Sequence, residues 1–387
     1  MPSPTAQRPP TAWLGVTAVM LGIFTIVTTE ILPIGLLTSI GADFTVSDGL
    51  AGLMMTMPGL LAALAAPLVT AATARVDRRR MLAAFMLLLA AANALAAVAP
   101  GYGLVLLSRV LVGVTIGGFW SIGAGLAERL VPPARAARAT SVIFSAVPLG
   151  SVLGVPAGTF IGELAGWRTA FALLAALSVA VTALLILSVP PLPPTGAATR
   201  LRLLAAVARR PRARFALLLT FLIVLAHFGA YTYVTPFLEQ VTHAGPGLIT
   251  VLLLLYGAAG IAGTFLLGGL VARRPRLGFA LAAALLAGAT ALLPLLGGST
   301  AGALAPLLLW GAAYGAVPVA SRTWFAGAAP DAPEAASVLF TASFQATISL
   351  GALAGGAVLD RASPSTVMAL GALAAALTLV PLLRHRA

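Results

Sequence analysis

Three ionisable side chains, Glu30, Arg109 and His227, lie inside long apolar runs and far from any loop. An acid at the centre of a hydrocarbon layer costs roughly 2.5–3.5 kcal/mol on insertion scales, so one retained there faces a polar cavity or takes up a proton. Glu30 stands in Thr28-Thr29-Glu30-Ile31-Leu32-Pro33, where Pro33 also interrupts the helical hydrogen-bond ladder. At 1.5 Å per residue, Glu30 is about ten residues from the outer end of its run and Arg109 about seven from the outer end of its own, so the two lie within roughly 5 Å in depth. Glu30 is therefore read as a proton carrier and Arg109 as the group that tunes it, since burial and a neighbouring cation act on a carboxyl's proton in opposite senses. The competing reading is a static Glu–Arg pair that fixes helix packing.

His227 has an ordinary pKa of about 6.5 and so suits a second protonatable group, a hydrogen-bonding contact to substrate, or a satisfied core histidine; substrate contact is favoured. Further candidates for a binding cavity are Tyr231, Tyr233, Gln345, Trp310, Trp120 and Asn93, with packing weighed more heavily for Asn93 and Trp120. Tyr231 and Tyr233 are two residues apart, so one of them at most faces a cavity squarely if the run is helical. Aromatic walls with a few polar groups suit a sugar or small amphiphile better than an ion. No His, Cys or carboxylate stands near these residues at ligand spacing, so neither a metal site nor a cofactor is expected.

The elements that must position these residues are membrane helices. The chain has 387 residues, 60% of them apolar and 9% charged, with a mean hydropathy of +1.04, whereas charged residues make up about a quarter of a soluble protein. A net charge of +13 would suggest nucleic acid in a soluble protein. Here all 23 basic residues are Arg and cluster in short loops between apolar runs, so no nucleic-acid partner is expected. With no Cys, disulfides and thiol chemistry are excluded. No cleavable signal is expected, because the first apolar run is too long for one.

Apolar segments long enough to cross roughly 30 Å of hydrocarbon fall at about 13–40, 48–73, 81–99, 102–127, 139–162 and 167–189. After a Pro- and Arg-rich stretch, six more fall at about 214–238, 247–271, 277–297, 302–325, 334–358 and 364–383. The expected fold is all-α, with twelve membrane helices in two six-helix bundles. Residues 1–190 form the first bundle, 191–213 a basic linker with an interfacial helix against lipid, and 214–387 the second bundle. Placing both termini in the cytoplasm puts 20 of the 23 Arg on that side, leaving Arg168 and Arg361 outside and Arg109 within a span.

The halves repeat. Glu30-x-x-Pro33 matches Tyr233-x-x-Pro236, offset by 203; Gly113-x-x-x-Gly117 matches Gly311-x-x-x-Gly315, offset by 198; and Gly150-x-x-x-Gly154 matches Gly351-x-x-x-Gly355, offset by 201. Parallel six-helix repeats around a midplane site are the architecture of rocking transporters. The chain after Thr11 resembles the major facilitator superfamily, and within it the twelve-span drug:proton antiporters such as bacterial sugar and arabinose efflux permeases. The resemblance is carried by Thr28 to Leu37, by Arg109-Val110-Leu111-Val112-Gly113 in span 4, by Gly150-x-x-x-Gly154-Val155-Pro156-Ala157-Gly158 in span 5, and by Ala226 to Phe237.

That resemblance implies alternating access in a bacterial inner membrane, with Gly150, Gly154, Pro156 and Gly158 as a conformational run that suppresses leak. In the loop after span 2, Ala74 replaces the family's usual acid and Asp77 stands where Gly is usual, so Asp77 and Arg78 are the candidates for a latch. The function expected is proton-coupled efflux of a small organic molecule, a sugar, nucleoside or amphiphilic drug, by a monomer. A facilitator or importer is the first alternative, and a non-transporting receptor or scaffold the second. An enzyme is not expected, because three isolated ionisable groups provide no nucleophile with its base.

Overall fold

The computed structural model of the chain describes residues 9–72, 76–123, 126–193 and 201–384, and these contain helices and no strand. Among them 12 helices are long and apolar enough to cross a membrane: α1 Ala12–Ile31, α2 Asp48–Val69, α3 Arg78–Ala97, α4 Tyr102–Trp120, α5 Pro133–Ala165, α6 Trp167–Ser188, α7 Pro211–Gln240, α8 Pro246–Val271, α9 Pro275–Leu296, α10 Thr300–Ala328, α11 Ala335–Leu359 and α12 Pro364–Arg384. Their starts follow local chemistry. Pro133, Pro211, Pro246, Pro275 and Pro364 open first turns, where the missing N–H costs nothing. Ser47, Ser299 and Ser363 cap theirs by accepting from the N–H of Leu50, Gly302 and Thr366.

Proline also breaks three of the spans. The first span stops at Ile31 and resumes as Pro33–Asp43; α7 is interrupted between Tyr231 and Val234; α10 is interrupted at Ala316. In each case a Pro follows (Pro33, Pro236, Pro318) that has no N–H for the carbonyl four residues earlier, on Thr29, Thr232 and Tyr314 respectively. The breaks at Leu32 and Tyr233 are 201 residues apart (233 − 32), which on this register sets Tyr231 rather than Tyr233 opposite Glu30.

Helices α1 to α6 pack in one group and α7 to α12 in a second. The glycine pairs repeat because they do the same work in each group. A Cβ on Gly117 of α4 would lie 2.7 Å from the Ala62 carbonyl of α2, and one on Gly311 of α10 would meet the Tyr256 carbonyl of α8. Likewise a Cβ on Gly154 of α5 would lie 2.9 Å from Ile31 of α1, and one on Gly351 of α11 would lie 3.0 Å from the Leu225 carbonyl of α7. Close approach of backbones is what small-xxx-small spacing provides in a membrane.

Both described chain ends and most Arg residues lie at one end of the bundle, called here the Arg-rich end. The opposite end is sealed between the groups. Thr38 donates to Glu239 at 3.0 Å, Gln240 to Asp48 at 3.1 Å, Thr235 to the Ile34 carbonyl at 2.9 Å, and Asp360 accepts from Ser47 Oγ and Gly49 N, each at 2.9 Å. Gly356 sits so close that a Cβ there would be 2.8 Å from the Gly49 carbonyl. Gly356→Val is accordingly expected to force the seal open at an overpacking cost of about 1–3 kcal/mol, a shift of roughly 5- to 150-fold in population. In a Met54→Cys background, where the chain's only thiol is buried behind the seal, labelling by a water-soluble maleimide should accelerate correspondingly. An unchanged labelling rate would refute the close-packing account.

At the sealed end, Arg168 in the first turn of α6 pairs with Asp43, but both side chains are 42% exposed and the pair contributes little. At the Arg-rich end Arg210 donates to both oxygens of Asp331, at 2.6 and 2.8 Å, and holds that carboxyl at about 2. For an acid so depressed, the linked stability is present above the usual value near 3.8 and is lost as pH falls through about 2. It contributes nothing to pH dependence near neutrality.

The linker contains a helix, Leu201–Ala208, whose Leu204 and Val207 pack on Ala328 to Ala336 of the second group. Arg202 and Leu203 stay exposed. Residues 194–200 of the expected linker lie outside the described residues, as do Arg8, Ala74, Arg75 and Arg386.

Candidate functional site

The break before Pro33 creates the site. Thr29 loses its helical hydrogen-bond partner there, and Arg109 of α4 supplies another: Nη1 donates to the Thr29 carbonyl at 2.9 Å, Nη2 to the Glu30 carbonyl at 3.0 Å and Nε to the Met54 carbonyl of α2 at 3.0 Å. The guanidinium is fully buried. The expected facing Glu–Arg pair is therefore corrected. Arg109 meets the main chain of Glu30 and not its carboxylate, because the orphaned carbonyls at the break lie along the guanidinium fork.

The carboxylate turns the other way and accepts from Gln345 Nε2 of α11 at 3.0 Å, a buried bond between the two groups. Both residues line a cavity of about 150 Å³ whose wall includes Val27, Ser151, Phe228, Tyr314, Arg322, Phe340 and Phe344. A second space of about 230 Å³, toward the Arg-rich end, is bounded by Trp120, Phe144, Arg322, Phe325 and Phe340, and both are lined by Trp120, Arg322, Phe340 and Thr341. Exposed Ala326 and Ser337 mark its mouth. Glu30 thus sits on a cavity that opens toward the Arg-rich end, under a seal at the other.

The remaining candidates divide. Trp120 lines the cavity. His227, Tyr231 and Trp310 are buried behind its wall, in a stack of rings: Tyr314 faces the cavity and lies on His227 (centroids 3.3 Å, 4° between planes), His227 on Tyr231 (5.1 Å), and Tyr231 on Tyr256 (4.7 Å). Trp310 crosses the stack edge-on and donates Nε1 to His227 Nδ1 at 3.0 Å. The expected direct substrate contact by His227, Tyr231 and Trp310 is thereby corrected to a supporting position, since Tyr314 covers them. Tyr233 is likewise displaced. Its hydroxyl donates to the Ala352 carbonyl at 2.6 Å inside the seal, because the break turns it away from the cavity. Asn93 donates to Thr29 Oγ1 at 3.2 Å and is buried, so it braces the break and does not line the cavity.

Gly150, Gly154 and Gly158 lie against Val27, Ile31 and Leu32, so the span-5 run packs on the helix that carries Glu30. Pro156 is buried within the same uninterrupted helix. Asp77 caps α3 by accepting from Arg80 N at 3.2 Å, and Arg78 N bonds the Leu192 carbonyl. Sequence reasoning missed Tyr314, Phe144, Phe340, Phe344 and Arg322. For Arg322 a signal existed: it falls within the apolar run 302–325, although a count of basic residues by loop groups it with the loop cations.

A family model described as Major Facilitator Superfamily matches residues 18–352. Among curated proteins, the chain is 33% identical over 353 residues to the transcription regulatory protein OpdE of Pseudomonas aeruginosa, covering 90% of this chain and 88% of that one. It is 33% identical over 351 residues to the purine ribonucleoside efflux pump NepI of Escherichia coli O6:K15:H31, with the same coverage. Similar solved structures include a POT family transporter in complex with 5-aminolevulinic acid (TM-score 0.78, 12% identity, 95% of each chain). Another is an inward-facing, occupied bacterial homolog of the human lysosomal transporter Spinster (TM-score 0.74, 16% identity, 98% and 96% of the two chains).

Proposed function

The chain belongs to the major facilitator superfamily as a multi-pass membrane transporter, and from that premise we propose that it exports a small organic solute in exchange for protons, with Glu30 as the proton carrier. The Arg-rich end is assigned to the cytoplasm, with both termini, because cationic loops stay on that side of a bacterial inner membrane. The cavity then opens to the cytoplasm, which is the loading side of an exporter.

The observation that carries this reading is the Glu30–Gln345 hydrogen bond, at 3.0 Å, which ties a lone membrane carboxyl to the opposite half inside the cavity. An ionised Glu30 accepts from the Gln345 amide and draws the halves together. Protonation removes the charge that holds that amide, and an arriving solute competes for it. Proton and solute thus act on one inter-half contact, the condition for exchange. Each proton moving inward supplies about 2.3 kcal/mol per 100 mV and about 1.4 kcal/mol per pH unit.

Purine ribonucleosides are the first substrate class, ahead of simple sugars and amphiphilic drugs. The relatives named as purine ribonucleoside efflux pumps support this, as does a cavity with aromatic walls and a polar roof that suits a flat base with a hydroxylated ring. The span-5 run keeps α5 against the proton-carrying helix through the cycle and so limits leak. Arg78 and its capped helix start serve the latch in the opposite orientation. The unit of transport is one chain.

Addition of inosine, guanosine or adenosine to purified protein in weakly buffered detergent solution is expected to release protons, with arabinose and chloramphenicol as comparison classes. No pH change with any of them would overturn proton exchange.

A further inference from the structure

Arg322 is the one cation that the described residues place in the cavity wall. Its guanidinium carbon lies 5.8 Å from the ring centroid of Trp120, 5.1 Å from that of Phe144 and 5.3 Å from that of Phe340. The first two rings belong to one half and the third, like Arg322, to the other. Trp120 and Phe144 stand 6.1 Å apart, their planes 35° from parallel. Among the described residues, no carboxylate lies within salt-bridge distance of Arg322, whereas Arg168 and Arg210 have Asp43 and Asp331.

Ring faces answer a positive charge through their quadrupoles. They accept none of the five in-plane N–H donors well, and those donors want a charged oxygen pair. A loop cation that merely sets topology reaches for water or lipid headgroups. Arg322 is exposed at the mouth, and its guanidinium also lies over three rings of a cavity whose roof carries Glu30.

We propose that Arg322, Trp120, Phe144 and Phe340 form an anion subsite that takes a flat organic solute bearing a single carboxylate. The guanidinium fork matches a carboxylate through two parallel hydrogen bonds, and the rings offer faces to a flat body. Among the described residues, Arg322 is the one charged side chain lining the mouth, so a monoanion neutralises it. A phosphate dianion carries one charge more than this single cation balances, and a cation would be repelled. The cargo therefore extends from neutral nucleosides to flat acids of similar size. The direction of their movement rests on the exporter reading above, but their binding does not.

The test measures binding to purified full-length protein by calorimetry, with 2-naphthoate, the neutral 2-naphthamide and 2-naphthyl phosphate as probes. The carboxylate should bind about 10- to 100-fold more tightly than the amide, the effect of charge-assisted hydrogen bonds. Arg322→Gln should reduce that ratio to about one while leaving amide affinity unchanged, and Arg322→Lys should retain part of it. Four outcomes overturn the proposal: no preference in the native protein, including no binding of either probe; a preference that survives Arg322→Gln; loss of amide binding in the variant, which marks Arg322 as structural; and tighter binding of the phosphate. Glu30→Gln should keep the preference intact, so failure of proton coupling and failure of the anion subsite give different results.

Discussion

Glu30→Gln is expected to abolish solute-stimulated proton release and to uncouple efflux from the proton gradient, while solute affinity stays within about threefold. The amide is nearly the size of the carboxylic acid and, like the protonated acid, carries no charge, so it keeps the shape of the site and its uncharged contact to Gln345 while removing the exchangeable proton. At 100 mV and one pH unit the lost coupling amounts to about 3.7 kcal/mol, a collapse of roughly 500-fold in the solute gradient sustained across proteoliposomes. Glu30→Asp should retain proton release at a reduced rate, because a titratable group remains but no longer reaches Gln345. A Glu30→Gln variant that still builds a full gradient would leave the transporter fold standing and remove Glu30 as the carrier.

Arg109→Leu has the second large effect, and it falls on folding. Three main-chain carbonyls, on Thr29, Glu30 and Met54, lose their donors in a fully buried place, at about 1–3 kcal/mol for each group left unsatisfied. With partial relaxation, a net loss of about 3–5 kcal/mol is expected, visible as a lower unfolding midpoint and a smaller monodisperse fraction in detergent. Arg109→Lys should fall between, because an ammonium presents its donors at a point and cannot span three acceptors. The protein that does fold should still release protons on solute binding. If instead Arg109→Leu is as stable as the native chain and only its pH profile moves, Arg109 tunes the proton directly and the clamp is secondary.

The twelve spans and the paired halves were legible in the sequence, because length, hydropathy and offset are properties of the chain taken alone. The glycine pairs also read through correctly, since a close backbone approach leaves the same gap in side-chain volume in both halves. Rotation about each helix axis was not legible. Tyr231 and Tyr233 have nearly the same depth, yet one joins the stack behind the cavity and the other the seal, because the break before Pro236 reorients the next turn of the helix. His227 and Trp310 stand out as polar aromatics in apolar runs, but only packing shows that Tyr314 stands between them and the cavity. For Arg109 the sequence points to the right residue and the wrong atoms. Charge suggests a carboxylate, whereas the broken ladder leaves carbonyls with a stronger claim.

The clamp on the broken helix has a consequence for how the cycle is timed. Three hydrogen bonds from Arg109 fix the Thr29–Glu30 main chain and α2 to α4, and the span-5 glycines hold the same stretch to α5, so the carboxyl is a stationary well within its half. On the exchange cycle proposed above, rocking would not carry it from one water phase to the other but would change which phase can see it. In that cycle the rate at which the protein samples each side's acidity would be set by the swing of the opposite half, with Gln345 as the shutter.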